Sequence, residues 1–260
     1  MSGNGKPGIP PVVFVEGGTL PEAWEQSVLE TWRRGAVVET EYGQRSKDVT
    51  MVILVRKPMA EPRIHRAGLT VGRLSDLETY VREVLDGIND WRIGRDWDYT
   101  YHERLFSYRL DGNAVDQISY VVNKLSETPY TRRAQAITWK PWSDPHTDSP
   151  PCLQRLWFRI VDGRLVMHAM WRSRDAFKAA FMNMYALTLL QERVARQISE
   201  KTGVKIEVGE YVDFSNSYHI YESDWGRAAG FAALISKRSW ESRTWTTEQY
   251  RKMCSKLAIR

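Results

Sequence analysis

Ser149-Pro-Pro-Cys152-Leu-Gln-Arg-Leu-Trp-Phe-Arg-Ile-Val161, then Asp162-Gly163, then Arg164-Leu-Val-Met-His-Ala-Met-Trp-Arg-Ser-Arg-Asp175 is the stretch whose periodicity decides the fold. Leu156, Phe158 and Ile160 alternate with Arg155, Trp157 and Arg159, and a period of two lays the apolar set on one face of a strand. The Asp-Gly pair between two alternating runs suits a tight hairpin turn, so two antiparallel strands are expected. In a hairpin the start of the first strand lies beside the end of the second. Cys152 is therefore expected near Arg172, Ser173 and Asp175. With a reference pKa of about 8.5, a thiol is only a few per cent thiolate at neutral pH, and a neighbouring guanidinium raises that fraction. Arg172 suits this task and also the binding of a phosphate. The same pattern fits Cys152 as a small buried apolar residue and Arg172 as a surface charge.

Working outward, the 260 residues contain no Pro/Gly/Ser-rich linker inside the chain. A disordered N-terminus over 1–11 and a single domain over 12–260 are expected. No signal-peptide pattern and no apolar run of membrane-spanning length occurs, which reads as cytoplasmic. Two cysteines, Cys152 and Cys254, make no disulfide framework, and without paired metal-ligand spacing no metal is expected. The net charge is +5, but the 37 Lys and Arg are scattered, in runs no longer than pairs such as Arg33-Arg34 and Arg132-Arg133. A nucleic-acid surface shows a clustered stripe, so no polymer partner is expected.

Val12–Val15 reads as a strand and is followed by a helix that begins near Pro21 and ends before Gly35, with Trp24, Val28 and Trp32 on one face. Strands over 36–40 and 49–55 flank a loop holding Arg45. A helix over 75–86 starts at Ser75 and closes at Gly87. Its apolar stripe is Leu74, Leu77, Val81, Val84 and Leu85; at 100° per residue Glu78 sits at the stripe's margin and Glu83 almost opposite. An interior carboxylate must be paired or have work to do, which favours Glu78 as a functional acid, with Glu83 the alternative. The aromatic segment 96–105 holds Tyr101, suited to a proton relay or to core packing. Helices over 116–125 and 183–199 and strands over 134–139 and 208–221 complete the pattern. His219 and Tyr221, two apart in the last strand, share a face.

Pro150-Pro151-Cys152, Arg172-Ser173-x-Asp175 and Asn183, with Thr131-Arg132-Arg133 upstream and His219-Ile220-Tyr221 downstream, resemble the thymidylate synthase superfamily in order and spacing. The likeness runs from about Arg45 to Asp224, and Asp116-Gln117-Ile118 falls where that family has the same tripeptide. The short chain and Pro-Pro-Cys-Leu-Gln look closer to the archaeal-type and nucleotide hydroxymethylase branches than to ordinary bacterial thymidylate synthases, and as a whole the chain most resembles the cytidylate hydroxymethylases of nucleoside-antibiotic biosynthesis. The resemblance implies an α/β thymidylate synthase fold: a large mixed β-sheet covered by helices, in a back-to-back homodimer. It implies Cys152 as the nucleophile toward C6 of a pyrimidine nucleoside monophosphate, with Glu78 and Tyr101 in proton transfer. Arg45, Arg172 and Ser173 would hold the phosphate, and Arg132 and Arg133 would reach across the dimer to the partner's phosphate. Asn183 would read the base, His219 and Tyr221 the sugar hydroxyl, and Asp175 the pterin of methylenetetrahydrofolate, the one-carbon donor.

The expected product is 5-hydroxymethyl-CMP. The alternative is methylation of dUMP to dTMP, because asparagine is the uracil-reading residue of ordinary synthases where phage deoxycytidylate hydroxymethylases carry aspartate. A carboxamide offers both donor and acceptor and can meet either base. A non-catalytic nucleotide- or RNA-binding protein would instead present a contiguous basic face. The segment ending Lys256-Leu-Ala-Ile-Arg260 departs from the apolar closing tail of ordinary synthases.

Overall fold

In the computed structural model, which describes residues 8–69 and 74–258, the alternating segments assemble into a seven-stranded mixed sheet. In chain order the elements are β1 (Val12–Gly17), α1 (Leu20–Arg34), β2 (Ala36–Glu39), β3 (Arg45–Val55), β4 (Ile64–His65), α2 (Asp76–Asp86), α3 (Tyr101–Phe106), β5 (Tyr108–Leu110), β6 (Asn113–Val115), α4 (Gln117–Glu127), β7 (Gln135–Ile137), β8 (Leu153–Val161), β9 (Arg164–Asp175), α5 (Ala180–Thr202), β10 (Glu207–Tyr221), α6 (Trp225–Ile235), α7 (Trp240–Arg243), β11 (Thr244–Trp245) and α8 (Thr247–Ala258). The sheet runs β1-β3-β10-β9-β8-β7, with β2 also on β3. β1 and β3, like β9 and β10, are parallel, whereas β3–β10, β7–β8 and β8–β9 are antiparallel.

The two faces of this sheet differ. Val13 and Val15 of β1, Met51 and Ile53 of β3, and Met167 and Ala169 of β9 are buried with Trp24 of α1 and Leu190 of α5 in one core. Burying each such large side chain contributes about 1.5–3 kcal/mol. On the opposite face Val12 and Phe14 are 71% and 59% exposed, and Val52, Leu54, Val212 and Phe214 are half-buried.

The β8–β9 hairpin has the expected turn: Asp162 and Gly163 both take positive φ, 47° and 71°, as a two-residue type I′ turn requires. Its far end brings the Arg172 N–H to the Cys152 carbonyl at 2.9 Å. Two expected boundaries shift and one holds. β3 begins at Arg45 rather than Val49, so Arg45 is a strand residue and not a loop residue, because the first residues of β3 pair with β2 on one side and with the end of β10 on the other. α5 begins at Ala180, which puts Asn183 in its first turn. Ser75 stands at the α2 N-cap without a side-chain hydrogen bond, while Gly87 closes that helix with φ 64°.

α2 also corrects the placement of its acids. Its apolar stripe faces α5, with Leu77 and Val84 buried, but the flank opposite that stripe is covered as well, by α3 and the segment leading into it. Glu83 is consequently half-buried and Glu78 is exposed, the reverse of what a helix covered on one side would give. Residues 1–7 of the expected disordered terminus lie outside the described residues, and 8–11 precede β1 without regular structure. Among the described residues no helix is long and apolar enough to cross a membrane, and no group of three or more His, Cys, Asp or Glu side chains could hold a metal ion.

Candidate active site

The carboxyl end of β9 and the start of β8 border a cavity of about 240 Å³ whose lining includes Tyr101, Cys152, Arg172, Ser173, Asp175, Asn183, His219 and Tyr221. Eight of the candidates named from the sequence thus meet in one place. Arg45, Glu78, Arg132 and Arg133 do not line it. A roomier cavity of about 670 Å³ lies on the open sheet face among β8, β9 and β10, but its lining contains no nucleophilic side chain of the set.

Cys152 is half-buried. Burial pushes its thiol up, and Arg172 and Arg174 pull the other way without offsetting it. Both guanidiniums act in the expected direction, toward the thiolate, but desolvation, the buried character that the sequence also allowed, is the larger effect. Arg172 is anchored from behind. Its Nε donates to the Pro151 carbonyl at 3.1 Å and a terminal nitrogen to that of Pro150 at 2.7 Å, so the Pro-Pro pair holds the arginine beside the cysteine. Below them Arg174 forms a buried ion pair with Asp213 at 2.5 Å, and the Trp171 indole N–H donates to the same carboxylate at 3.2 Å. Several hydrogen bonds on one carboxylate are what allow such a pair to be buried.

The helical side of the cavity is held by side chains. The Tyr101 hydroxyl accepts the Leu153 N–H at 3.2 Å, and burial, with Tyr99 nearby, keeps its phenol protonated well past the usual range. Asn183 Nδ2 donates to the Tyr80 hydroxyl at 2.5 Å. Tyr80 was not among the sequence candidates, although it sits on the α2 flank between the apolar stripe and Glu83, where an aromatic residue could have signalled a second covered side. Burial, with Glu83 nearby, raises the Tyr80 phenol, so its hydroxyl is neutral. Glu83 itself is raised by burial, with Asn89 and Arg92 opposing, and accepts from Asn89 Nδ2 at 2.9 Å. It lines an adjoining cavity of about 500 Å³ together with Asp96, Asp98, Tyr99 and Tyr101. Tyr101 belongs to both cavities.

At the sheet side, burial lowers His219 to about 4, and its ring meets that of Tyr221 edge-on at 4.6 Å. Burial pushes the Tyr221 phenol up to about 12. Asp175 Oδ1 accepts the N–H groups of Phe177 and Lys178 at 2.9 and 2.7 Å, while burial raises its carboxyl. Arg45 instead pairs with Glu222 at 2.5 Å and lies over the Trp225 ring. Arg132 and Arg133 are exposed. The Arg132 carbonyl accepts from the indole of Trp157, which belongs to the open sheet face, at 3.0 Å.

The profile of the thymidylate synthase family matches residues 77–240. A protein of Methanosarcina mazei is 33% identical over 207 residues, covering 79% of this chain and 88% of that protein. One of Methanopyrus kandleri is 33% identical over 226 residues, covering 86% and 98%. One of Methanosarcina acetivorans is 31% identical over 207 residues, covering 79% and 88%. All three are described as "Putative thymidylate synthase". This chain belongs to the thymidylate synthase family, and its mixed sheet flanked by helices is the thymidylate synthase fold. The family transfers a one-carbon unit from methylenetetrahydrofolate to a pyrimidine nucleotide.

Proposed function

We propose that the protein hydroxymethylates C5 of a cytidine monophosphate, CMP or dCMP, with Cys152 as nucleophile. The observation that carries the proposal is that Cys152, Asn183, Ser173, His219 and Tyr221 line one cavity, so a thiol, a carboxamide for a base and hydroxyl-binding groups for a sugar converge. The Cys152 sulfur adds to C6 of the base, and C5 then bonds to the methylene carbon of the folate. Loss of the C5 proton and departure of tetrahydrofolate leave an exocyclic methylene, water adds to it, and the thiolate is expelled from C6. Methylenetetrahydrofolate supplies the carbon; the protein orients it, with Asp175 facing the pterin.

Glu83, half-buried and raised, is the better placed of the two α2 acids to exchange protons, with Tyr101 between its cavity and Cys152. Cytosine is favoured by the chain's likeness to cytidylate hydroxymethylases; Asn183, with one amide hydrogen on Tyr80, keeps an oxygen that can accept from the 4-amino group. Water addition is favoured by the adjoining cavity, whose carboxylates and hydroxyls suit water and which shares Tyr101 with the cavity of the thiol. Homodimerisation through the open sheet face would cover Val12 and Phe14 and carry Arg132 and Arg133 toward the partner's phosphate. Arg45 would join the phosphate site on leaving Glu222.

The test is to incubate the protein with methylenetetrahydrofolate and CMP, dCMP or dUMP separately, and to record product mass and folate absorbance. A 5-hydroxymethylcytidine nucleotide without the absorbance rise of dihydrofolate is expected. A methylated product from dUMP with that rise would replace this reading by thymidylate synthesis, the activity named for the archaeal relatives.

A further inference from the structure

His219 and Asp48 face each other in the antiparallel register of β10 and β3, and a register shift between Ser215 and Tyr218 accompanies Ser217. The Ser217 hydroxyl lies 2.5 Å from Asp48 Oδ2 and 3.1 Å from His219 Nδ1. Asp48 is only 8% exposed, and its other oxygen is buried without a hydrogen bond from the described residues. Across β2 its register partner is Ala36, which brings no charge. A buried carboxylate with an orphan oxygen is costly, and nothing in the sheet requires one here.

Counting protons fixes the direction of each bond. Burial raises the Asp48 carboxyl to about 6, opposed by the Ser217 hydrogen bond, so above that pH it is an ionised carboxylate, which only accepts, and the single Ser217 hydroxyl hydrogen points to Asp48. The Ser217 oxygen is then the acceptor for His219 Nδ1–H. A neutral imidazole carries one N–H, so Nε2 is left as a bare acceptor. We propose that Asp48 and Ser217 are positioning residues that hold His219 in its Nδ1–H tautomer, so that Nε2 accepts a hydrogen bond from a sugar hydroxyl of the bound nucleotide. The proposal rests on the cavity's being a nucleotide site. Neither residue touches the substrate; they act through the ring.

The experiment compares wild type, Ser217→Ala and Ser217→Thr. Long-range proton–nitrogen NMR of His219, recorded without ligand, should show a bare Nε2 in wild type and in Ser217→Thr, and a tautomer mixture in Ser217→Ala. Calorimetry should show about tenfold weaker CMP binding by Ser217→Ala, the usual worth of one hydrogen bond, with recovery in Ser217→Thr. Binding of 2′,3′-dideoxycytidine monophosphate, which has no sugar hydroxyl at those carbons, should be the same in wild type and Ser217→Ala. An Nε2–H tautomer in wild type would overturn the relay, as would equal weakening of both nucleotides in Ser217→Ala. If wild type binds none of CMP, dCMP and dUMP, the nucleotide site itself fails and the sugar half of the proposal with it. The ligand-free NMR spectrum separates that failure from a failure of the relay.

Discussion

The cavity has two walls held in different ways. On the sheet wall, Cys152, Arg172, Ser173 and His219 are placed by backbone ladders: the Arg172 N–H meets the Cys152 carbonyl at 2.9 Å, and Ser173 and Asp175 stand opposite Ser217 and His219. On the helical wall, Tyr101 and Asn183 come from α3 and α5 and, with Tyr80 and Glu83 of α2 behind them, are located by single side-chain bonds, such as Asn183 to Tyr80 and Glu83 to Asn89. A ladder survives the loss of one side chain; a single bond does not. Substitutions on the sheet wall should therefore remove chemistry while leaving shape, and substitutions on the helical wall should retune neighbours.

The largest effect tests the sheet wall. Cys152→Ser should lower turnover at least ~1000-fold, the scale of losing a nucleophile, with folding and nucleotide binding retained, whereas Cys254→Ser should stay active. Because burial raises the Cys152 thiol, its alkylation by iodoacetamide in Cys254→Ser protein should be slow at neutral pH and accelerate as pH rises through and beyond the ordinary thiol range. Alkylation faster than that of a free cysteine at pH 7 would show the two arginines outweighing desolvation.

Next comes the proposed dimer. Arg132→Ala/Arg133→Ala should raise the nucleotide KM about a hundredfold or more, since charge-assisted hydrogen bonds contribute about 1.5–3 kcal/mol each. Mixing that protein with Cys152→Ser should restore activity, because each hybrid dimer holds one complete site. If subunits exchange and no activity returns, the arginines serve their own chain and the open face needs another explanation.

Glu83→Gln addresses the helical wall directly. Removing an acid–base group costs about 100-fold in kcat or more, and Glu78→Gln, on the exposed side, should leave kcat near the wild-type value. The opposite pattern would restore the choice that the α2 periodicity suggests.

That reversal shows where local pattern carries structural information. The β8–β9 hairpin was legible because alternation and an Asp-Gly turn are local signals that fix register by themselves, and register alone brings Cys152 to Arg172. The motif order led to the family for the same reason. α2 was half legible: the stripe of Leu77, Val84 and Leu85 marks the side that meets α5, but nothing local says that a segment further along the chain covers the other flank. Tyr80 escaped for that reason, and Asp48 because its partner Ser217 lies 169 residues away. The arginine beside the thiol was legible because charge neighbours can be read from a hairpin, while the balance against desolvation was not, because the depth of burial depends on everything packed around it.

Tyr80→Phe is the finest test. It deletes one oxygen and keeps the ring, so α2 packing should hold and stability should fall by no more than about 1 kcal/mol. Asn183 loses the partner that orients its carboxamide and becomes free to present either oxygen or nitrogen. Affinity for CMP should drop a few-fold while affinity for UMP stays level or rises, narrowing the preference by up to about tenfold. Calorimetric titration of both nucleotides against wild type and variant reads the ratio directly. An unchanged ratio would mean that Asn183 is oriented from the sheet wall, and that the two walls are less separate than their hydrogen bonds indicate.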